Sequence, residues 1–150
     1  MTDEQGPLGK IALAATSLYV SNLEAAIAWY EEKLALRPAM VGADEHPYAA
    51  FSVGGAIVVL EPRVAALEPE PGSGSTTINL VVDLDPAGVR EELLRRGVEC
   101  SEIVESPNYA SFLVRDIDGN RFYVSRPASS EARGALDEVT SLVSGAEPPS

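Results

Sequence analysis

One structural unit is written twice in this chain, and that repetition constrains the fold more than any other feature. The clearest echo pairs YAAFSV (Tyr48 to Val53) with YASFLV (Tyr109 to Val114). Upstream of each lies an apolar strand and then a helix: ATSLYV followed by NLEAAIAWYEEKL from Asn22, and TTINLVV followed by DPAGVREELLRRG from Asp85. Downstream of each comes a turn and another apolar strand, GG then AIVVLEP, and DGN then RFYVSRP. Each unit reads strand, helix, strand, strand, strand, so the fold class is α+β with two tandem βαβββ modules. The division expected is a tail over 1–10, a first module over 11–63, a linker over 64–75, a second module over 76–127, and a helix with tail over 128–150. The two modules would form one domain, since 150 residues suit a single domain. A chain of that size buries roughly 70% of its unfolded surface and needs no disulfide or metal to fold.

The helix boundaries have physical causes. Asn22 can cap the first helix, and Leu23, Ala26, Ile27, Tyr30 and Leu34 recur on one face. Asp85-Pro86 supplies an acidic cap with proline at the first helical position, Val89 and Leu93 face inward, and Gly97 is a natural stop. The segment VAALEPEPGSGS (Val64 to Ser75) is rich in Pro, Gly and Ser and reads as linker. After Pro127, Ala132, Ala135, Leu136, Val139, Leu142 and Val143 follow at helical spacing up to Gly145. That stripe must bury against its own sheet or against a partner subunit. Gly54-Gly55 and Asp118-Gly119 read as hairpin punctuation and not as phosphate loops.

Charge and composition exclude some functions. A net charge of −12, from 23 acidic and 11 basic side chains, repels phosphate backbones, so nucleic acid is not an expected partner. The excess acid serves solubility or sets up a field that attracts cationic small molecules. No apolar run approaches the ~20 residues of a membrane span. MTDEQGPLGK has neither a basic start nor an apolar stretch, so no signal peptide is expected. Cys100 is the only cysteine, which suits a reducing cytoplasm. With one cysteine and one histidine, His46 in the turn before Tyr48, no Ser-His-Asp or Cys-His arrangement is available. His46 reads as a solvated loop residue, Cys100 as a small packed side chain, and Trp29 as core or interface.

The stretches SLYVSNLEAAIAWYEEKLAL (Ser17 to Leu36) and FLVRDIDGNRFYVSRP (Phe112 to Pro127), in this order and spacing, resemble the vicinal oxygen chelate superfamily. That group includes glyoxalase I, extradiol dioxygenases, fosfomycin-resistance enzymes and bleomycin-binding resistance proteins. The resemblance covers about Ile11 to Pro127. It implies curved mixed sheets with helices behind them, and paired modules around a cavity. Metal-dependent members hold their ion there with a His or similar residue on the first strand of each module and a carboxylate or Gln on the last. Carried over, those positions fall on Ala15, Glu61, Thr77 and Tyr123. A transition metal needs several nitrogen, sulfur or carboxylate donors converging on one point, and only Glu61 offers one. No metal and no cofactor is therefore expected. Tyr123 would replace metal chemistry with an aromatic wall and a hydroxyl.

Strand alternation proposes which side chains face the cavity. With Thr16, Leu18 and Val20 packed against helices, Leu13, Ala15, Ser17 and Tyr19 look inward. Ile57, Val59 and Glu61 share that phase, as do Thr77, Asn79 and Val81, then Arg121, Tyr123 and Ser125, with Phe122 and Val124 behind. Ser17, Tyr19, Glu61, Asn79, Arg121 and Tyr123 are the candidate ligand-binding residues: aromatic faces, hydroxyls, an amide, one acid and one base. Glu61 admits three readings: a general base with a raised pKa, a partner for Arg121 or a cationic ligand, or a solvated strand-end carboxylate.

Two functions compete. A metal-free binding protein of the bleomycin-resistance type would sequester an aromatic and/or cationic molecule, and by resemblance would be a homodimer. A glyoxalase-like enzyme (lyase, isomerase or dioxygenase) would use Glu61 with relocated metal ligands or metal-free acid/base chemistry. An accessory subunit whose sheet and tail helix only dock on another protein is a third possibility.

Overall fold

The computed structural model describes residues 6–42, 45–63, 70–72 and 77–143. The first module runs β1 (Thr16–Val20), α1 (Leu23–Leu34), β2 (Met40–Gly42), β3 (Tyr48–Val53) and β4 (Ala56–Pro62). Its four-stranded sheet has the order β1-β4-β3-β2, with β1 parallel to β4 and the other pairs antiparallel. The second module runs β5 (Thr77–Val81), α2 (Pro86–Arg95), β6 (Glu99–Cys100), β7 (Val104–Glu105), β8 (Tyr109–Arg115) and β9 (Arg121–Pro127). Its order is β5-β9-β8-β6, with β5 parallel to β9 and β7 also pairing with β8. A third helix, α3 (Ser130–Val143), closes the described chain, and the architecture is α+β as the repeat predicts.

Local chemistry sets the elements. The Asn22 side chain accepts the Ala25 N–H to cap α1, and Asp85 accepts the Ala87 N–H to cap α2, with Pro86 at its first position. The two helices end alike in geometry and unlike in sequence. Gly97 leaves α2 with φ 84°, and the Val98 N–H returns to Leu93 O. Ala35 occupies the same left-handed region at φ 57°, and the Leu36 N–H returns to Tyr30 O.

One feature of the second module departs from the repeat. The strand expected after α2 is split, because Ser101 bridges the ladder with both backbone and side chain: its N–H donates to Leu113 O, and its Oγ accepts the Leu113 N–H. β6 and β7 lie on either side of that irregularity. The predicted linker falls mostly outside the described residues, which include only 70–72 of it.

The backs of both sheets and the inner faces of α1 and α2 share one core. Leu18, Val20, Phe51, Val58 and Leu60 meet Phe112, Val114, Phe122 and Val124 in a single buried cluster. Tyr30 on α1 stands at its centre, with its ring 5.5 Å from Phe51 of its own module and 6.0 Å from Phe122 of the other. Leu93 is buried and Leu23, Ile27, Leu34, Val89, Trp29 and Cys100 pack partly buried around the cluster, as their spacing predicts. α3 docks only by its first turns. Ser129 caps it, Ala132 is buried, and Arg133 lies 3.5 Å from Asp83, while Val139 and Leu142 are exposed. No described helix is long and apolar enough to cross a membrane.

Candidate functional site

Side chains of paired residues in adjacent strands share a face, so the sheet registers define the two front faces. In the first sheet Ser17 pairs with Val59, Val59 with Ala50 and Ala50 with Met40, and beside that row Tyr19 pairs with Glu61. In the second, Asn79 pairs with Tyr123 and Tyr123 with Leu113, while Thr77 pairs with Arg121 and Arg121 with Arg115. The phase matches the alternation read from sequence. Leu18, Val20, Val58, Leu60, Phe122 and Val124 are buried behind, whereas Ser17, Asn79 and Tyr123 are exposed in front and Tyr19, Glu61 and Arg121 are half-buried. Ser125 differs, since it is buried although its register places it in front.

Ser17, Tyr19 and Glu61 thus belong to one sheet, and Asn79, Arg121 and Tyr123 to the other. The turn before β9 connects the sets: the Asn120 side-chain amide donates to the Tyr19 carbonyl at 3.2 Å. Arg115 was missed by the sequence reading. It stands directly across from Arg121, with its Nε 3.7 Å from Glu99 Oε2. The signal was present, because the β8–β9 turn sets Arg115 opposite Arg121. Cys100 pairs with buried Val114 and so looks backward, and burial is the main cause that raises its thiol above the usual range.

The positions that hold a metal in the resembled family do not suit one here. Ala15 precedes β1 and carries no donor atom, and Thr77 and Tyr123 offer only hydroxyls. Among the described residues, no group of three or more His, Cys, Asp or Glu side chains is arranged to hold a metal ion. His46 is exposed before β3, away from this register.

The model of the Glyoxalase/Bleomycin resistance protein/Dioxygenase superfamily matches residues 12–124, and the chain belongs to that superfamily. Among curated proteins, none matches. Of solved structures, TnmS3, an antibiotic binding protein from Streptomyces sp. CB03234, is similar at 23% identity and a TM-score of 0.65, over 79% of this chain and 100% of that one. A superfamily member from Sphaerobacter thermophilus is 18% identical with a TM-score of 0.64, over 78% of this chain and 98% of its own. TioX from Micromonospora sp. ML1 is 18% identical with a TM-score of 0.59, over 79% and 98%. At these identities the likeness speaks to the fold.

Proposed function

We propose that this chain binds a small aromatic and/or cationic molecule and sequesters it without a metal or other cofactor. The reading rests on the kept fold together with Ala15, Thr77 and Tyr123, the residues that the family resemblance puts where metal ligands would be expected. On that scaffold the front faces present two tyrosine rings, Ser17 and Asn79, and the opposed charges of Glu61 and Arg121, a chemistry that stacks and hydrogen-bonds a ring-bearing ligand. An antibiotic-binding protein among the fold's structural neighbours supports ligand capture as a use of this architecture.

The two modules act as one domain in the cytoplasm, a setting that suits a lone thiol. The front faces are left open by the chain's own described elements, with Tyr123 at 41% and Val81 at 42% exposure. A second copy of the chain covers them and the free end of α3, giving a homodimer.

A native mass spectrum of the untagged protein, taken after gentle purification, tests this. A metal-free dimer carrying an organic adduct, with the adduct lost in Tyr123→Ala, is the expected result. One metal ion per protomer, removable with chelator, would defeat it. Glu61→Gln separates the enzyme alternative: a proton-transfer catalyst loses turnover, whereas a binder loses affinity.

A further inference from the structure

The turn between β8 and β9 ties the modules together. Asp116, only 6% exposed, accepts the backbone N–H groups of Asp118 (2.9 Å) and Asn120 (2.8 Å) at Oδ1. At Oδ2 it accepts the Tyr30 hydroxyl (2.5 Å) and the Asn120 amide (3.1 Å). The same amide donates to the Tyr19 carbonyl at 3.2 Å, so both of its hydrogens are used. Asp118 Oδ1 accepts from the Ser21 N–H at 3.2 Å and from the Ser21 hydroxyl. Among the described residues, these partners across the module boundary lie at the end of β1, just after it, or on α1.

Two further facts mark this turn as a built junction. β1 stands at the end of its sheet's strand order, and the Asn120 amide of the other module reaches its Tyr19 carbonyl. The equivalent turn of the first module, Gly54-Gly55, has no side chains, and a methyl group placed on Gly54 would meet nothing within 4 Å. A buried carboxylate whose donors come from two modules behaves as a unit, because losing one donor leaves charge uncompensated in a low dielectric.

We infer that Asn120 is a positioning residue for the binding site: its amide locks the end of β1, with Tyr19, to the start of β9, with Arg121 and Tyr123, so that both front faces are presented at one fixed setting. The inference rests on the reading that Tyr19 and Tyr123 meet the ligand, but the lock itself is measurable without ligand.

Amide hydrogen exchange on the ligand-free full-length chain tests it in Asn120→Ala and Asn120→Asp. The second variant keeps the size of the side chain and puts acceptors where the donors were. Both should speed exchange of residues 18–22 about tenfold, the scale of one lost hydrogen bond, while residues 91–94 of α2 keep their protection. Acceleration confined to 117–122, or equal acceleration throughout, would overturn the inference. Should those variants fail to fold, Asn120→Ser, which keeps a small polar side chain but withdraws the amide, must speed the same segment, and unchanged exchange there overturns the inference equally. Tyr123→Ala leaves exchange at 18–22 untouched, so a failed binding site and a failed lock are told apart.

Discussion

The β3–β4 turn and the β8–β9 turn occupy the same place in two copies of one unit, and their surroundings are opposite. Gly54 at the first has open space around it, whereas the second gathers Asp116, Asp118 and Asn120 into contact with Tyr19, Ser21 and Tyr30. The repeat offers two equivalent junctions, and among the described residues polar side chains of the second grip the neighbouring module. The helix ends show a similar drift: Gly97 satisfies a left-handed position without strain, and Ala35 holds the same position with a side chain. A repeat keeps its backbone plan while its copies diverge in what fixes them.

The comparison breaks most visibly at Tyr30, the residue both modules share. Tyr30→Ala should cost about 3–5 kcal/mol by the usual penalty for deleting a buried aromatic. Because its ring touches Phe51 and Phe122 alike, both modules should melt in one transition at lower denaturant. Separate transitions for the two sheets would show that the core is not common.

Gly72 sharpens the comparison from the linker side. It has φ 76°, and a Cβ there would lie 1.9 Å from the Asp118 carbonyl oxygen, a backbone atom that cannot swing away. Gly72→Ala should therefore cost about 1–3 kcal/mol, the range for overpacking. Gly54→Ala also has positive φ but meets nothing, so chemical denaturation should show the smaller loss there.

The helix ends offer a reciprocal pair. Ala35→Gly should stabilise by about 1 kcal/mol, and Gly97→Ala should destabilise by a similar amount, since left-handed backbone favours glycine by that order. Equal small losses from both changes would mean that the contacts around Leu36 and Val98 dominate the caps.

The last effect is silent at neutral pH. Burial first, then the negative charge and hydrogen bond of Asp116, push the Tyr30 hydroxyl far above its ordinary range. The folded-state pKa is raised, so the associated stability is complete below about pH 10, where an unfolded tyrosine begins to ionise, and is lost as pH rises further. Urea midpoints measured upward from pH 9 should fall for the wild type. Tyr30→Phe should remove that component of the fall, at the expense of one donor to Asp116.

Much of this architecture was legible in the sequence because it depends on local or periodic signals. Asn22, Asp85-Pro86 and Gly97 act on neighbours within a few residues, and the alternation of Leu18 with Tyr19 or Phe122 with Tyr123 follows from the pleat. The β6–β7 split was not legible, since Ser101 finds its partner in Leu113 across the sheet. The lock was read as mere hairpin punctuation. Asp118 and Ser21 are separated by 97 positions, and Asn120 and Tyr19 by 101, so no local pattern records their meeting. The candidate ligand residues were found by phase, and Arg115 was missed because it required the pairing of two strands as well as the phase of one.

The single core shared by the two sheets has a consequence for how such a protein can be assembled. Buried rings and the Asp116 network attract the modules to one another. Two shorter polypeptides, one ending after β4 and one beginning before β5, would each expose half of that apolar surface and would recover it by meeting. A gene divided between β4 and β5 would still encode complementary pieces.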